Sequence, residues 1–571
     1  MKIQILILFL FLISCKTEKE IIKNHLNQVS GPYSHLDPQI VSGLSASLIL
    51  AKVHEPLYEI NPYMAPFDLR PLLAKSLPKI SKDGLTYLIE LKENIQYHPC
   101  QCFTGPRYLK ASDLVNSFKR MSDPRLLSPH FAYFSKYIKG MKQWYELQKE
   151  RGTTDYNIPL KGLRAKSQNT LEITLTKPNL DFTYLLTSPN IAPTPIELIK
   201  YYKNDLSNIA IGTGPFRLHK EVKNHRLEFE KFENYHPMFF PSRSHPKYEQ
   251  VIKENSGRRL PLLNSITTTI SKESQTSWLN LLKGNLDYLE VEKDNHQDAF
   301  SGRMISPELK KKGFVIGRDN GQGNLYYFGF NNQLSPLNNS DVRRAIAKAF
   351  DYKRYNELFF NSQAIKASSF LPPGIPGNMN PPKTHFHQKN LKEARELLKP
   401  HLKSLRPLRM IVKNKTVSRQ VGEFLKSELK KVGIEVILET VSFPELLKRA
   451  TKGDYDIFYL SWYVGLPKGL EFFELLYGKN YPGSYNRFGY QSNSFDEIFQ
   501  EARQTLSEKK QSHLVSKLNK IAIKDFPFMP LVHQRSIFIR KNNLRNFIPS
   551  NQMGGLEKFY EIKDNKWQES K

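Results

Sequence analysis

The sequence predicts a mixed α/β chain of several domains, and three observations predict it. Its 571 residues exceed the ~250–300 residues at which a single hydrophobic core stops growing. A stretch from 408 to 463 reads strand, helix, strand, helix, strand. Short two-residue alternations elsewhere read as strands, and apolar 3.6-residue periods read as helices.

The first clean strand has Leu85, Tyr87, Ile89 and Leu91 alternating with Thr86, Glu90 and Lys92, after the turn Lys82-Asp83-Gly84. Leu171 to Leu175 and Leu227 to Glu230 alternate in the same way. Val342, Ala345, Ile346, Ala349 and Phe350 fall on one helical face, with Ser340 or Asp341 as the expected N-cap. In the legible stretch, Leu408–Val412 reads as a strand and Thr416–Lys431 as a helix. Val417, Val421, Phe424 and Leu425 should point inward, with Gly433 as the stop. Ile434–Leu438, Phe443–Ala450 and Tyr455–Trp462 follow as strand, helix and strand. That order implies a parallel sheet with ligands at the carboxyl ends of its strands, here around Trp462 and Tyr463.

With 39% hydrophobic and 24% charged residues, the composition excludes global disorder, collagen and a disulfide mini-scaffold. No repeat of 20–50 residues or low-complexity tract is visible, which argues against solenoids and propellers. The 84 Lys+Arg against 55 Asp+Glu give +29, a balance that favours anionic surfaces. The basic residues are spread along the chain, so the excess reads as attraction to a membrane surface or lineage bias, with no nucleic-acid partner expected.

The amino terminus points to export. Met1-Lys2 is a basic start and Ile5–Ile13 is an apolar run with the length of a signal-peptide core, too short to span a bilayer. It ends in Leu12-Ile13-Ser14-Cys15, followed by a polar stretch. This tetrapeptide resembles a bacterial lipobox, which makes Cys15 the expected lipidation site and residues 1–14 the signal peptide. Cys100 and Cys102 form a C-x-C pair. It could close a disulfide in an oxidising compartment, but the expectation is two half-buried thiols in a loop.

Catalytic signatures are missing: there is no H-E-x-x-H, G-x-S-x-G or phosphate-loop motif. Gly212-Thr213-Gly214-Pro215-Phe216 lacks the Lys and hydroxyl of a phosphate loop and reads as a tight turn. His385 and His387 are the closest histidine pair, yet two ligands do not complete a metal site. No metal, cofactor or enzymatic activity is expected.

Several segments, in order, resemble one family. They are Leu36-Asp37-Pro38; His54-Glu55-Pro56-Leu57; Pro71 to Ser76 with Asp83 to Tyr87; Lys110 to Val115 with Arg120; the turn Gly212 to Phe216; Asn338 to Asp351; Gly453 to Asp456 with Ser461-Trp462; and Pro527 to Leu531. Together they resemble the extracellular solute-binding proteins of the dipeptide/oligopeptide and nickel group (family 5), the binding components of bacterial ABC importers. The resemblance implies a two-lobed, periplasmic-binding-protein-like α/β fold with hinged lobes and an extra third domain. Lobe I would comprise 15–60, 171–330 and 526–571, the extra domain 61–170, and lobe II 331–525.

It further implies a monomer that binds a peptide-like solute between its lobes and passes it to permease subunits, held to a membrane by its lipid. A non-transporting receptor and a binder of nickel or another non-peptide solute are the alternatives. Carried over by position, the ligand-binding residues are Glu55, Trp462, Tyr463, Val464 and Gly465. Peptide binders of the family carry an Asp where this chain has Gly465, so the carboxylate that pairs with a free α-ammonium is missing there.

Overall fold

The strand–helix–strand–helix–strand run forms one side of a six-stranded sheet in the computed structural model. The structure describes residues 24–64, 68–302, 304–319, 323–380, 382, 384, 388–464, 468–481, 485–550 and 553–563. Cys15 with the expected signal segment, Gly465, His385 and His387 lie outside the described residues.

The strands of that sheet run, in order, Ile365–Lys366, Phe528–His533, Asn324–Phe330, Ile457–Tyr463, Leu408–Lys413 and Val436–Val441. Leu408–Lys413 is parallel to both of its neighbours, as the local pattern implies. The sheet as a whole is mixed, because Asn324–Phe330 runs antiparallel to Ile457–Tyr463 and to Phe528–His533. Asn324–Phe330 and Phe528–His533 belong by hydrogen bonding to the lobe II sheet, whereas the sequence boundaries at 330 and 526 assign them to lobe I.

The helices that cover the sheet follow their caps. Ser340–Ala349 starts behind Asn339, one residue before the expected cap, with the Asp341 amide donating to its side chain. Phe443–Lys452 starts behind Ser442 and ends at Gly453, whose φ of 74° fits a left-handed C-terminal stop. In Thr416–Lys430 the buried face comprises Ser418, Val421, Gly422, Leu425, Glu428 and Leu429, while Val417 is exposed, contrary to its expected inward position. The cause is close packing at Gly422, where a Cβ would stand 2.5 Å from Leu438 Cδ1. The helix therefore turns its Gly422 side toward the strand. Arg343 is buried and donates to the carbonyls of Phe526, Asp525 and Leu337. It thereby caps the helix Glu508–Asp525.

Lobe I has a four-stranded sheet in the order His25–Ser30, Ser265–Ile270, Arg226–Lys231, Phe216–Val222. Its core joins Leu26, Phe229 and Ile266 to Leu544, Phe559 and Tyr560 near the carboxyl end. A three-stranded sheet places Ile537–Lys541 between Tyr288–Glu290 and Phe314–Arg318.

The third domain has its own sheet, Lys79–Ile80, Thr86–Glu90, Thr170–Thr174, Leu163–Ser167. Thr170–Thr174 lies across the expected boundary at 170 and is hydrogen-bonded on both sides within this sheet. The core of this domain extends to Phe182 and Ile191.

Two of the resembling segments meet where this domain joins lobe I. Arg120, on the helix Ala111–Met121, donates to both carboxylate oxygens of Asp37 at 2.8 and 2.7 Å. Its other donors reach Gln39 and Asn204. Arg120 is 0% and Asp37 1% exposed. The free-thiol expectation is corrected: Cys100 and Cys102, with Cα atoms 5.1 Å apart, are joined in a disulfide, a separation that the bond allows.

Candidate functional site

The helix Leu44–Leu50 ends in a turn in which the amides of Val53 and His54 donate to Leu50 O. The Gly212–Pro215 turn packs against this segment so closely that glycine is required. A Cβ at Gly212 would stand 2.1 Å from Val53 O, and one at Gly214 would stand 2.6 Å from the same atom. The Gly214 amide donates to Val53 O at 2.8 Å. The glycine turn is thus a seat for the backbone that carries Glu55.

Glu55 is buried and its carboxylate is fully engaged. Tyr235 Oη donates to it at 2.5 Å, His236 Nε2 lies at 2.9 Å and Thr213 Oγ1 at 3.4 Å. Burial pushes its pKa up, but His236, Lys558 and Tyr235 prevail and hold the carboxyl below its ordinary range. Next to it, burial and the neighbouring His98 push His54 down to about 3, so His54 is neutral.

This segment forms one wall of a cavity of about 570 Å³, within the usual range for small-molecule sites. The third domain contributes Tyr133, Phe134, Tyr184 and Leu185; the carboxyl-terminal part contributes Ile548, Lys558 and Phe559; and lobe II contributes Asn324 and Val464. The cavity therefore lies between the lobes, with the third domain as a further wall. Lys558 pairs with Glu59, and Glu59 lies 3.4 Å from Arg70. On another side Lys468 reaches across from lobe II to Asp181 at 2.6 Å and sits 3.9 Å from the centre of the Tyr184 ring.

The structure brings Glu55 and Val464 to this one cavity. Val464 follows the strand Ile457–Tyr463 and its amide donates to Gly323 O at 3.0 Å, so it lies at a carboxyl strand end. Trp462 and Tyr463 are not among the lining residues. The Trp462 ring packs edge-on against Tyr485 at 5.6 Å. Tyr463 is half exposed, and its hydroxyl lies 3.0 Å from that of Tyr326, which donates to Gln534. Successive side chains of a strand point to opposite faces, which turns Tyr463 away from the side of Val464, while the Trp462 ring is taken up by its contact with Tyr485. Among the described residues no group of three His, Cys, Asp or Glu side chains is placed to hold a metal ion.

Residues 68–484 match the model of the bacterial extracellular solute-binding proteins, family 5. The chain belongs to that family. This family-5 chain is 22% identical over 546 residues to the heme-binding protein A of Haemophilus influenzae, covering 92% of this chain and 89% of that protein. To the dipeptide-binding protein DppE of Bacillus subtilis it is 21% identical, over 89% and 84% of the two chains. Among solved structures, HbpA2 from Haemophilus parasuis superposes with a TM-score of 0.78 at 20% identity, covering 95% and 100% of the two chains. The periplasmic binding protein DppA from Helicobacter pylori, in complex with the peptide STSA, superposes with a TM-score of 0.66 at 20% identity, covering 95% and 98%. These likenesses establish the multidomain binding-protein fold, and the family match establishes a solute-binding protein.

The sequence reading missed Tyr133, Tyr184, Lys558 and Phe559 as wall residues. They come from distant segments that carry no local signal, and only the tertiary packing brings them together.

Proposed function

We propose that the chain is the lipid-anchored binding component of an ABC importer. It captures an oligopeptide-like solute as a monomer in the interlobe cavity and delivers it to permease subunits. The observation that carries this reading is the cavity itself, bounded by all three domains, with Glu55 to Asn61 on one side and Val464 on the other. Relatives named as dipeptide- and oligopeptide-binding proteins support a peptide-like solute. In this reading the solute lies between the segment at Glu55 and the strand end at Val464, and hinge closure encloses it.

Screening peptide pools, nickel and oligosaccharides side by side tests it. A peptide pool should raise the melting temperature in proportion to the logarithm of its concentration and shrink the radius of gyration in solution scattering. No shift with peptides, beside a clear shift with nickel, would replace the peptide reading with the metal one.

The anchor has its own test. Among the described residues no helix is long and apolar enough to cross a membrane, and the proposed tether is the lipid on Cys15. Cys15→Ser should move the protein from the membrane fraction to the soluble one in high salt, where attraction of the +29 chain to anionic lipid is screened. Retention on membranes under those conditions would refute the lipid anchor.

A further inference from the structure

The ionisable His, Asp, Glu and Lys side chains that line the cavity are His54, Glu55, Glu59, His130, Asp319 and Lys558, and each is already satisfied or neutral. Glu55 is held by His236 and Tyr235. Glu59 is paired with Lys558 and lies next to Arg70. Asp319 lies within electrostatic reach of Lys247, which Arg535 also faces. His130 has its Nε2 2.7 Å from Val41 O and, like His54, is pushed by burial toward the neutral form. Residues 65–67, 320–322, 465–467 and 551–552 adjoin the lining segments in sequence, and none carries an ionisable side chain.

A charged solute group entering this cavity would have to break one of these pairs or stay unpaired. Either course is unfavourable for a group withdrawn from bulk water. What the walls do offer is aromatic and apolar surface from Tyr133, Phe134, Tyr184, Leu185 and Phe559. Beside it stand Asn61, Thr187, Ser188 and Asn324, neutral side chains that hold hydrogen bonds within the protein and whose oxygens have lone pairs to accept a further one.

Resting on the peptide-like reading above, we infer that the cavity selects solutes that bring no formal charge into it: peptide-like molecules whose amino and carboxyl ends are blocked. Recognition then comes from neutral hydrogen bonds and ring contacts, without ion pairing to the ends of the ligand.

The test uses one randomised tetrapeptide library made twice, with free ends and with N-acetyl and C-terminal amide groups. Both forms are screened against the purified full chain by melting temperature, and the best sequences are then measured by calorimetry. The blocked form of a given sequence should bind at least tenfold more tightly than its free form. Equal or tighter binding of the free form would overturn this inference and leave the peptide reading standing. If neither form shifts the melting temperature at millimolar concentration, the peptide reading falls, and the inference falls with it.

Discussion

Arg120→Ala should lower the stability of the protein by about 3–5 kcal/mol, the usual loss when one partner of a buried ion pair is removed. The substitution would leave the Asp37 carboxylate, 1% exposed, without the two guanidinium donors at 2.8 and 2.7 Å. It would also strip Gln39 and Asn204 of a shared partner. Since Asp37 precedes the first helix of lobe I and Arg120 belongs to the third domain, the loss should also loosen the junction between them. Urea denaturation of the variant, followed by fluorescence, reads the effect. A midpoint unchanged from that of the parent chain would show that the pair does not hold the junction.

Acid should destabilise the fold well above the range in which carboxylates titrate. Burial pushes His54 down to about 3, and His98 and His533 to about 4, from the ordinary 6.5. Above pH 6.5 these rings are neutral in both the folded and the unfolded chain and contribute nothing to the pH dependence. Below 6.5 the unfolded chain takes up protons that the folded chain refuses. Stability therefore falls as the pH drops from 6.5 toward 4. At pH 5 each ring accounts for on the order of 2 kcal/mol, and the three together for about 6 kcal/mol. The groups facing them do not relieve this: His98 lies near His54, and although Glu55 favours the charged form of His98, its carboxylate is already shared by His236 and Tyr235. Urea midpoints at pH 7.5 and pH 5 decide the matter. Equal midpoints would show that these rings are not held neutral.

The parts of the fold legible in the sequence are those set by neighbours along the chain. Leu408 to Trp462 showed its strands and helices because apolar periods and stops such as Gly433 act within a few residues. The partners of those strands were not legible. Nothing near Tyr326 or Met529 says that their strands pair with each other, because that pairing is settled by a contact some 200 residues apart in sequence. The rotation of Thr416–Lys430 had the same origin, in the contact of Gly422 with Leu438. At the site, Glu55 was marked only by the family resemblance, and the turn at 212–214 was visible because close backbone approach demands glycine. Tyr184 and Phe559 were not, since an aromatic wall can be drawn from many positions.

The placement of the last strands has a consequence for how the chain is made. Phe528–His533 is an interior strand of one sheet and Ile537–Lys541 the middle strand of another. A chain growing from its amino terminus therefore carries two sheets with an empty slot until the ribosome has passed residue 541. Strand edges left open in this way are prone to pairing with other chains, and contacts that close over such long sequence separations form slowly. The polypeptide thus stays unfinished throughout its synthesis, and both sheets are completed only once its final segment is available.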